Sequence, residues 1–424
     1  MKSIIQSVKG ARDFYPEDMA VRNWIYQSIK TVSQSFGFQE YDGPFLETVA
    51  LYAAKSGEEL VKENFAFPDR SGDMITLRPE LTPSLARMIA QRQRQFNYPL
   101  KWWSFGPFWR YERPQKGRSR EFFQWNIDTI GIASPEADAE LVAIGANLFK
   151  QFGLSPNQVK ILVNNRQLIN DELAALGIKD DLHLPVIKLI DRRDKMPFSE
   201  WQQYVLEIGI TDDHLKGILS LLDNNELWHK SPELTRFFVT IEILGVKDWV
   251  SYAPYIMRGL DYYTGTVFEA WDNDGEFRAI LGGGRYDDLV GVVGGDRIPG
   301  VGFAMGDVVL GLVLKKFGCI PDSIYKPPAK ILVTVFDEYH QKYSLGVANM
   351  LRRAGLNAFY YPEASKIAKQ FKFGDRAGMR IAVVIGPEEV AQGKITIKDL
   401  SNGEQQILGQ DEAINKIHEI LSDS

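Results

Sequence analysis

The sequence has little of what disulfide, metal or nucleophile chemistry requires. Its 424 residues contain one cysteine, Cys319, so no internal disulfide and no cysteine-rich zinc site can form. The five histidines are scattered without metal-ligand spacing: His183, His214, His229, His340 and His418. No HExxH, CxxC or Ser-His-Asp arrangement is present. We therefore expect no metal site built from protein ligands and no covalent catalysis by a protein nucleophile.

Long apolar runs and a strong net charge are also absent. No segment approaches the length of a membrane span, and residues 1–6 carry no apolar signal segment, so we predict a cytoplasmic protein without a membrane partner. The net charge of −6 argues against nucleic-acid affinity over the whole surface but leaves room for local basic patches. The length predicts two or three domains.

The pattern along the chain predicts two domains, at 1–325 and 329–424. The first mixes helices and strands, and about 166–240 has apolar residues at helical spacing, which indicates a helical insertion. Pro327-Pro328 marks a linker. Beyond it, strands alternate with helices, which is typical of a small α/β domain with a largely parallel sheet.

Residues 100–130 predict a hairpin with buried strands and a cationic loop. Arg110 follows the apolar run that ends at Trp109, so its side chain should point into the protein. A buried guanidinium needs an anion, and a ligand phosphate matches its planar fork. An internal salt bridge to Glu112 or Glu121 is the alternative, and the sequence leaves both open.

Two further stretches suggest a small polar ligand. In Thr76–Ser84, Glu80 and Thr82 lie between prolines and form a polar ledge that can grip an ammonium group. A simple helix cap by Thr82, with Pro83 as first helical residue, explains the threonine equally well. In Arg258–Gly265 an arginine precedes an acid and the pair Tyr262-Tyr263, a set that can read a polar ring and an anion. A loop with core tyrosines is the simpler alternative.

Two weaker patterns lie further along the chain. Gly282-Gly283-Gly284-Arg285 predicts a tight turn or a close approach of backbone to a ligand, but its spacing fits no known nucleotide fingerprint. In the last domain five cations fall within about a third of a helical circumference, which suits a polyanion or a plain solvated face. These cations are Lys366, Lys369, Lys372, Arg376 and Arg380.

Taken in this order, these stretches resemble the class II aminoacyl-tRNA synthetases and, over nearly the whole chain, the histidyl-tRNA synthetase family. Lys9–Phe14 resembles the family's opening, and Gly37–Pro44, Arg110–Asp128 and Pro299–Leu312 resemble class II motifs 1, 2 and 3. The string from Arg258 to Glu269 and the stretch 282–287 resemble its two histidine-specific signatures.

The resemblance implies an α+β catalytic domain with an antiparallel sheet, a helical insertion and a C-terminal α/β anticodon-binding domain. It implies histidine–tRNA ligase activity with ATP and Mg²⁺, on histidine and tRNA(His), in a homodimer. A non-catalytic regulatory paralogue of histidine biosynthesis is the alternative, and an adenylating ligase with another acceptor is a third reading.

The resemblance also assigns roles to individual residues. Arg110 and Arg258 are implied as catalytic cations on the α-phosphate of ATP. The amino acid is implied to be bound by Glu80, Thr82, Gln124, Asp128, Tyr262 and Tyr263. The ATP site is implied to contain Arg110, Arg113, Phe122 and Arg258. Contacts with tRNA are implied for Arg113, Gln115, Lys116, Arg118, Lys366, Lys369 and Lys372.

One departure concerns motif 3. Most members of the family end this motif in a Glu-Arg pair whose arginine lies over ATP, whereas this chain has Gly306-Asp307-Val308-Val309. The second cation at the nucleotide is then missing from motif 3, and Arg285 or a magnesium ion could substitute for it, although the sequence itself shows neither.

Overall fold

The computed structural model describes residues 4–53, 64–193, 196–259 and 262–422. The chain forms two compact units, Met1–Pro321 and Asp322–Ser424. Within the described ranges, no helix combines the length and the apolar character needed to cross a membrane.

The first unit is built on an eight-stranded sheet. Its strands in chain order are β1 (Gln39–Glu40), β5 (Leu100–Trp109), β6 (Glu121–Ile130), β7 (Val159–Asn165), β8 (Val250–Tyr252), β9 (Thr266–Asp272), β10 (Leu281–Tyr286) and β11 (Gly300–Gly306). Their spatial order is β1-β5-β6-β11-β10-β9-β7-β8. Only the outer pairs β1–β5 and β7–β8 are parallel. The predicted antiparallel catalytic sheet is therefore confirmed.

The β5–β6 hairpin is central to this sheet and has two different faces. Its register runs from Leu100 opposite Ile130 to Trp109 opposite Glu121. Because side chains alternate along a strand, the odd-numbered residues share one face, where Trp103 and Trp125 are fully buried. Burial of such a side chain stabilises the fold by roughly 1.5–3 kcal/mol. The even-numbered positions of β6 are thereby left to face the other side of the sheet.

Helices cover the sheet and form the predicted insertion. Outside the insertion they are Pro16–Ser35, Thr82–Arg92, Pro135–Gln151, Leu289–Val292 and Asp307–Lys316. The insertion consists of Arg166–Ala175, Asp180–Arg192, Phe198–Glu207, Asp212–Leu222 and Pro232–Ile243. Several of these helices begin where a side chain accepts a backbone N–H, as Asn165, Thr211 and Ser231 do. A small separate sheet contains β2 (Leu46–Thr48), β4 (Met74–Leu77) and β3 (Ala66–Pro68).

The second unit has a mixed sheet, so the prediction of a largely parallel one is wrong for half of its pairings. Its strands are β12 (Ile331–Val333), β13 (Ala358–Tyr360), β14 (Ile381–Val384), β15 (Ile395–Asp399) and β16 (Gln405–Leu408). β12 is parallel to β13 and β14, whereas β14–β15 and β15–β16 are antiparallel. The short connection 400–404 allows only an antiparallel return. The helices are Gln341–Arg353, Ile367–Arg376, Pro387–Gln392 and Gln410–Ser422.

The triple glycine lies in a strand, so the predicted tight turn is wrong. Gly282, Gly283 and Gly284 belong to β10, which is buried along its whole length. A Cβ at Gly283 would lie 2.2 Å from the Gly302 carbonyl oxygen of the neighbouring strand. The glycines are therefore required by close packing within the sheet, and no loop is formed.

Candidate active site

One face of the large sheet carries an open cavity of about 210 Å³. Its lining contains both predicted catalytic arginines and all six residues predicted to bind the amino acid. These are Arg110, Arg258, Glu80, Thr82, Gln124, Asp128, Tyr262 and Tyr263. Four stretches of the chain thus converge on one place, although some of these residues are more than 170 positions apart in the sequence.

The even-numbered face of β6 supplies the floor of the cavity. Gln124, Asn126 and Asp128 follow one another on this face, and all three line the cavity. Asp128 is buried and accepts a hydrogen bond of 2.8 Å from the Tyr286 hydroxyl. A Cβ at Gly302 would lie 1.9 Å from Asp128 Oδ1, so glycine there leaves room for the carboxylate. Asn126 and Tyr286 were missed from the sequence, although the alternation along β6 would have indicated Asn126.

The polar ledge lies at the start of helix Thr82–Arg92. Leu81 precedes the helix as its cap, and Thr82 is already helical, so the prediction that Thr82 caps the helix is wrong. The Leu81 carbonyl accepts the first helical hydrogen bond from Leu85. The Thr82 side chain is left to line the cavity beside Glu80, which is buried. A buried carboxylate next to a hydroxyl is suited to an ammonium group.

Arg258 reaches the cavity from a strained backbone. Its φ of +58° is the one positive value among the described non-glycine residues, which marks a constrained position. Its Nη1 donates to Glu269 Oε1 at 2.6 Å. Burial works against its charge, but Glu269 outweighs this effect and raises the pKa of Arg258 above the ordinary arginine value. Arg258 is therefore a fixed cation at the cavity wall.

Arg166, which the sequence did not single out, holds the loop that carries Arg258. Its buried guanidinium donates to the Met257 carbonyl at 3.1 Å, to the Tyr263 carbonyl at 3.1 Å and to the Arg258 carbonyl. The Arg166 side chain thus binds the backbone on both sides of residues 260–261, at Met257 and Arg258 before them and at Tyr263 after them. Only long-range contacts reveal this role, because β7 and the loop are more than 90 residues apart.

Tyr262 and Tyr263 lie together at the cavity, with ring centroids 4.6 Å apart. Burial raises the pKa of both hydroxyls, and the proximity of the two rings adds to the rise at Tyr262. Both therefore remain protonated at neutral pH, and the two side chains are hydrogen-bonded to each other at the cavity.

Arg110 is free of the internal salt bridge that the sequence left open. Its Nε donates to the Pro79 carbonyl at 3.0 Å, and its guanidinium lies 5.2 Å from the centre of the Phe122 ring. Glu112 instead pairs with Arg118. Within the described ranges Arg110 has no ion pair, so its charge is available to an anion. Phe122 itself stacks on Phe108 and is not among the residues that line the cavity.

Arg285 cannot replace the missing motif 3 arginine, so this suggestion is wrong. Its guanidinium donates to Asp138 and to the carbonyls of Ile132 and Ser134, away from the cavity. Asp307, at the motif 3 position, is held by Arg12 at 2.7 Å. Its other oxygen accepts the Phe123 N–H at 2.8 Å.

The residues predicted to bind tRNA lie outside the cavity. In the hairpin loop Arg113 and Gln115 are exposed, Lys116 pairs with Glu276 at 2.8 Å, and Arg118 pairs with Glu112. In the second unit Lys366, Lys369 and Lys372 are exposed at helix Ile367–Arg376. The predicted cationic stripe is shorter than expected, because the helix ends at Arg376. Arg380 lies beyond it and pairs with Asp399 at 2.9 Å.

Metal-ligating side chains do not cluster in the described part of the chain. No group of three or more His, Cys, Asp or Glu residues there could hold a metal ion. A Mg²⁺ ion commonly takes most of its ligands from water and substrate phosphates.

Comparison with known proteins identifies the family of the chain. A family model described as "Histidyl-tRNA synthetase" matches residues 10–307, and one described as "Anticodon binding domain" matches 330–420. The chain is 37% identical over 407 residues to "Histidine--tRNA ligase, chloroplastic/mitochondrial" of Arabidopsis thaliana, which covers 94% of this chain and 83% of that protein.

Solved structures show the same architecture. A histidyl-tRNA synthetase from Nostoc sp. PCC 7120 superposes with a TM-score of 0.80 at 25% identity, covering 98% of this chain and 100% of that one. A Bacillus halodurans protein titled "ATP phosphoribosyltransferase regulatory subunit/histidyl-tRNA synthetase" has a TM-score of 0.71 at 19% identity, covering 88% and 97% of the two chains, and shares the fold. With a family model spanning most of its length and a relative this similar, the chain belongs to the histidyl-tRNA synthetase family.

Proposed function

We propose that this protein is a histidine–tRNA ligase, which activates histidine with ATP and transfers it to tRNA(His). The observation that carries the proposal is the convergence of Arg110 and Arg258 on the cavity that Glu80 and Asp128 also line. Two cations beside a polar pocket suit a reaction between an amino-acid carboxylate and a phosphate. Membership of the family supports the same activity.

In the first step, a carboxylate oxygen of histidine attacks the α-phosphorus of ATP. A carboxylate–phosphorus bond forms, the bond to the β-phosphate oxygen breaks, and pyrophosphate leaves with the electron pair. Negative charge builds on the α-phosphoryl oxygens, so positioned cations lower the barrier more than acid–base groups would. In our proposal Arg110 binds the α-phosphate, and Arg258 bridges it to the carboxylate. Phe122 stacks on adenine, and Arg113 contacts the nucleotide or the tRNA end.

In our proposal, polar groups of the pocket recognise histidine through hydrogen bonds. We assign the α-ammonium group to Glu80, Thr82 and Gln124, which carry the carboxylate and oxygen acceptors that an ammonium needs. The imidazole is assigned to Asp128 as acceptor and to Tyr263 as donor, with Tyr262 beside them. Such a site rejects apolar amino acids strongly, because they would leave its buried polar groups without partners.

In the second step, a ribose hydroxyl at the 3′ end of tRNA attacks the carbonyl carbon of histidyl-adenylate. The bond from that carbon to the phosphate oxygen breaks, a phosphate oxygen takes up the hydroxyl proton, and AMP leaves. The hairpin loop with Gln115, Lys116 and Arg118 is assigned to the acceptor end, because it is cationic and lies beside the cavity. Lys366, Lys369 and Lys372 are assigned to the anticodon arm, which the anticodon-binding family match of residues 330–420 supports.

Three finer parts of the proposal rest on the family alone. We propose that Mg²⁺ accompanies ATP and takes its ligands chiefly from the phosphates. We also propose a homodimer through the motif 1 region 37–44, and a cytoplasmic location. Sedimentation of the purified protein tests the homodimer. A single monomeric species would contradict it.

Two assays on the purified protein test the activity. Histidine-dependent ATP–pyrophosphate exchange reports the first step, and transfer of radiolabelled histidine to tRNA reports the second. Arg258→Ala should keep its fold and lose about a hundred- to a thousandfold of exchange, because removal of one preorganised charge donor costs about 2.7–4 kcal/mol of barrier. Wild-type protein without exchange would indicate a regulatory paralogue, and exchange without transfer to tRNA would indicate another ligase. Near-normal exchange by Arg258→Ala would refute its assigned role.

A further inference from the structure

The place where family members carry a motif 3 arginine is apolar in this protein. Val309 is buried in helix Asp307–Lys316, under the hairpin loop. A Cβ at Gly117 of that loop would lie 3.6 Å from Val309 Cγ2, so loop and helix are in contact there. This neighbourhood needs a cation from another part of the chain if it is to bind the phosphates that lie beyond the α-phosphate.

Most cations around this loop are already paired. Lys116 is bound to Glu276, Arg118 to Glu112, and Lys316 to Asp272, Asp274 and Glu276. Arg120 donates to the Glu112 carbonyl. Arg278, like Arg113 of the loop, is exposed and makes no hydrogen bond or ion pair with another residue in the described ranges. Its charge is therefore available to a ligand.

The backbone places Arg278 at the edge of the cavity. It directly precedes Ala279, Ile280, Leu281 and Gly282, four consecutive residues that line the cavity. On one side of it, the Phe277 N–H donates to Asp272 at 3.1 Å. On the other, the Ile280 N–H donates to the Ala270 carbonyl at 2.7 Å. Arg278 is thus held between two anchored residues, directly beside the cavity lining.

Arg278 also lies in the electrostatic range of the hairpin loop. Burial lowers the pKa of Arg278, the positive charge of Arg118 lowers it further, and Glu112 opposes both. The positive charges of Arg278 and Arg118 repel, and an anion bound between them would relieve this repulsion. A polyphosphate fits this place, because its α-phosphate would be held deeper, at Arg110 and Arg258.

We propose that Arg278 binds the β- and γ-phosphates of ATP and stabilises pyrophosphate as it leaves. The inference rests on the proposed function, and it names a phosphate-binding residue that substitutes from the β9–β10 turn for the cation absent at Val309. Arg278 does not take part in recognition of histidine, since Asp128 and Tyr263 line the cavity and Arg278 lies outside its lining.

ATP–pyrophosphate exchange without tRNA tests this inference in the full-length protein. Arg278→Ala should raise the KM for ATP and the inhibition constant of pyrophosphate by about ten- to a hundredfold, the range for loss of a hydrogen bond to a charged group. The KM for histidine and inhibition by AMP, which lacks the outer phosphates, should stay within about twofold of wild type. Arg278→Lys should recover part of the loss, because it restores a point charge without the fork.

Arg94→Ala is the matched control, since Arg94 is exposed and does not line the cavity. Its kinetic constants should equal those of wild type. If Arg278→Ala leaves exchange unchanged but raises the KM for tRNA, the residue binds the tRNA end, and the inference is wrong. Equal loss toward ATP and AMP would also overturn it. Absence of exchange in the wild type would contradict the proposed ligase activity itself, so the two failures are distinguishable.

Discussion

The guanidinium of Arg258 occupies the space that a side chain at Gly282 would need. A Cβ built on Gly282 would lie 2.2 Å from Arg258 Nη1 and 2.5 Å from its Cζ. Glu269, which binds that same Nη1, is paired with Gly282 across β9 and β10. The first glycine of the triple-glycine stretch therefore belongs to the cavity wall, because it provides the room in which the cation is held.

Substitution at this glycine should remove activity and leave the fold. Gly282→Ala should displace the Arg258 side chain and lower histidine-dependent exchange by about a hundredfold or more, as for loss of a preorganised charge. Gly311→Ala is a suitable control, since nothing lies within 4 Å of a Cβ there and the residue is helical. It should keep full exchange and gain up to about 1 kcal/mol of stability. Normal exchange by Gly282→Ala at an unchanged melting temperature would contradict the placement of Arg258.

The hydrogen bond from Tyr286 to Asp128 should set the affinity for histidine. Tyr286→Phe removes a donor at 2.8 Å from a buried carboxylate, and its effect should be about 1.5–3 kcal/mol, seen as a ten- to hundredfold rise in the KM for histidine. The KM for ATP should change little, because the phosphates lie toward Arg110. An equal rise in both constants would mean that the residue supports the cavity as a whole.

The sequence predicted much of this site because its residues lie in short, strongly patterned stretches. A pattern of about ten residues was enough to predict each of three features: the hairpin strands, Glu80 and the stretch that begins at Arg258. Arg166, Tyr286 and Arg278 were not found, because each acts on a partner that is more than 90 residues away or on a ligand. The order of the strands in the sheet, β6-β11-β10-β9-β7, decides which residues become neighbours of these three. No short stretch of sequence reveals that order.

The errors have local physical causes. Threonine is a common N-cap residue, which is why Thr82 was predicted to cap the helix. In the structure Leu81 is the N-cap residue, and Thr82 lines the cavity. Three successive glycines usually mark a turn, whereas here the partners Gly302 and Arg258 approach the backbone too closely for any side chain. The antiparallel edge of the second unit depends on loop length, which the alternation of strands and helices does not reveal.

Asp399 should make the second unit sensitive to acid. Burial raises its pKa, but hydrogen bonds from Ser401 and the ion pair with Arg380 outweigh this and hold the pKa below the ordinary value. A depressed folded-state pKa stabilises the protein above the unfolded value of about 3.9, and this stabilisation is lost as the pH falls below it. Asp399→Asn should therefore destabilise the fold at pH 7 by about 1–3 kcal/mol.

Chemical denaturation of the full chain measures this effect. The difference in unfolding free energy between wild type and Asp399→Asn should shrink from pH 7 to pH 3.5, because the wild-type carboxylate then begins to lose its advantage. Asp375→Asn, at an exposed position on the helix Ile367–Arg376, should change stability by less than about 0.5 kcal/mol at either pH. A difference that is the same at both pH values would show that Asp399 acts through packing.

Lys116 should contribute to tRNA binding and have no part in activation. Its pair with Glu276 joins two side chains that are about half exposed or more, so exchanging the carboxylate for a tRNA phosphate should cost little. Lys116→Ala should raise the KM for tRNA and reduce the slope of log affinity against log salt by about one phosphate contact, while exchange without tRNA stays normal. Lys315→Ala, at an exposed lysine near the end of helix Asp307–Lys316, should leave both the KM and the salt slope unchanged. Loss of exchange in Lys116→Ala would instead mean that the pair with Glu276 positions the hairpin loop over ATP.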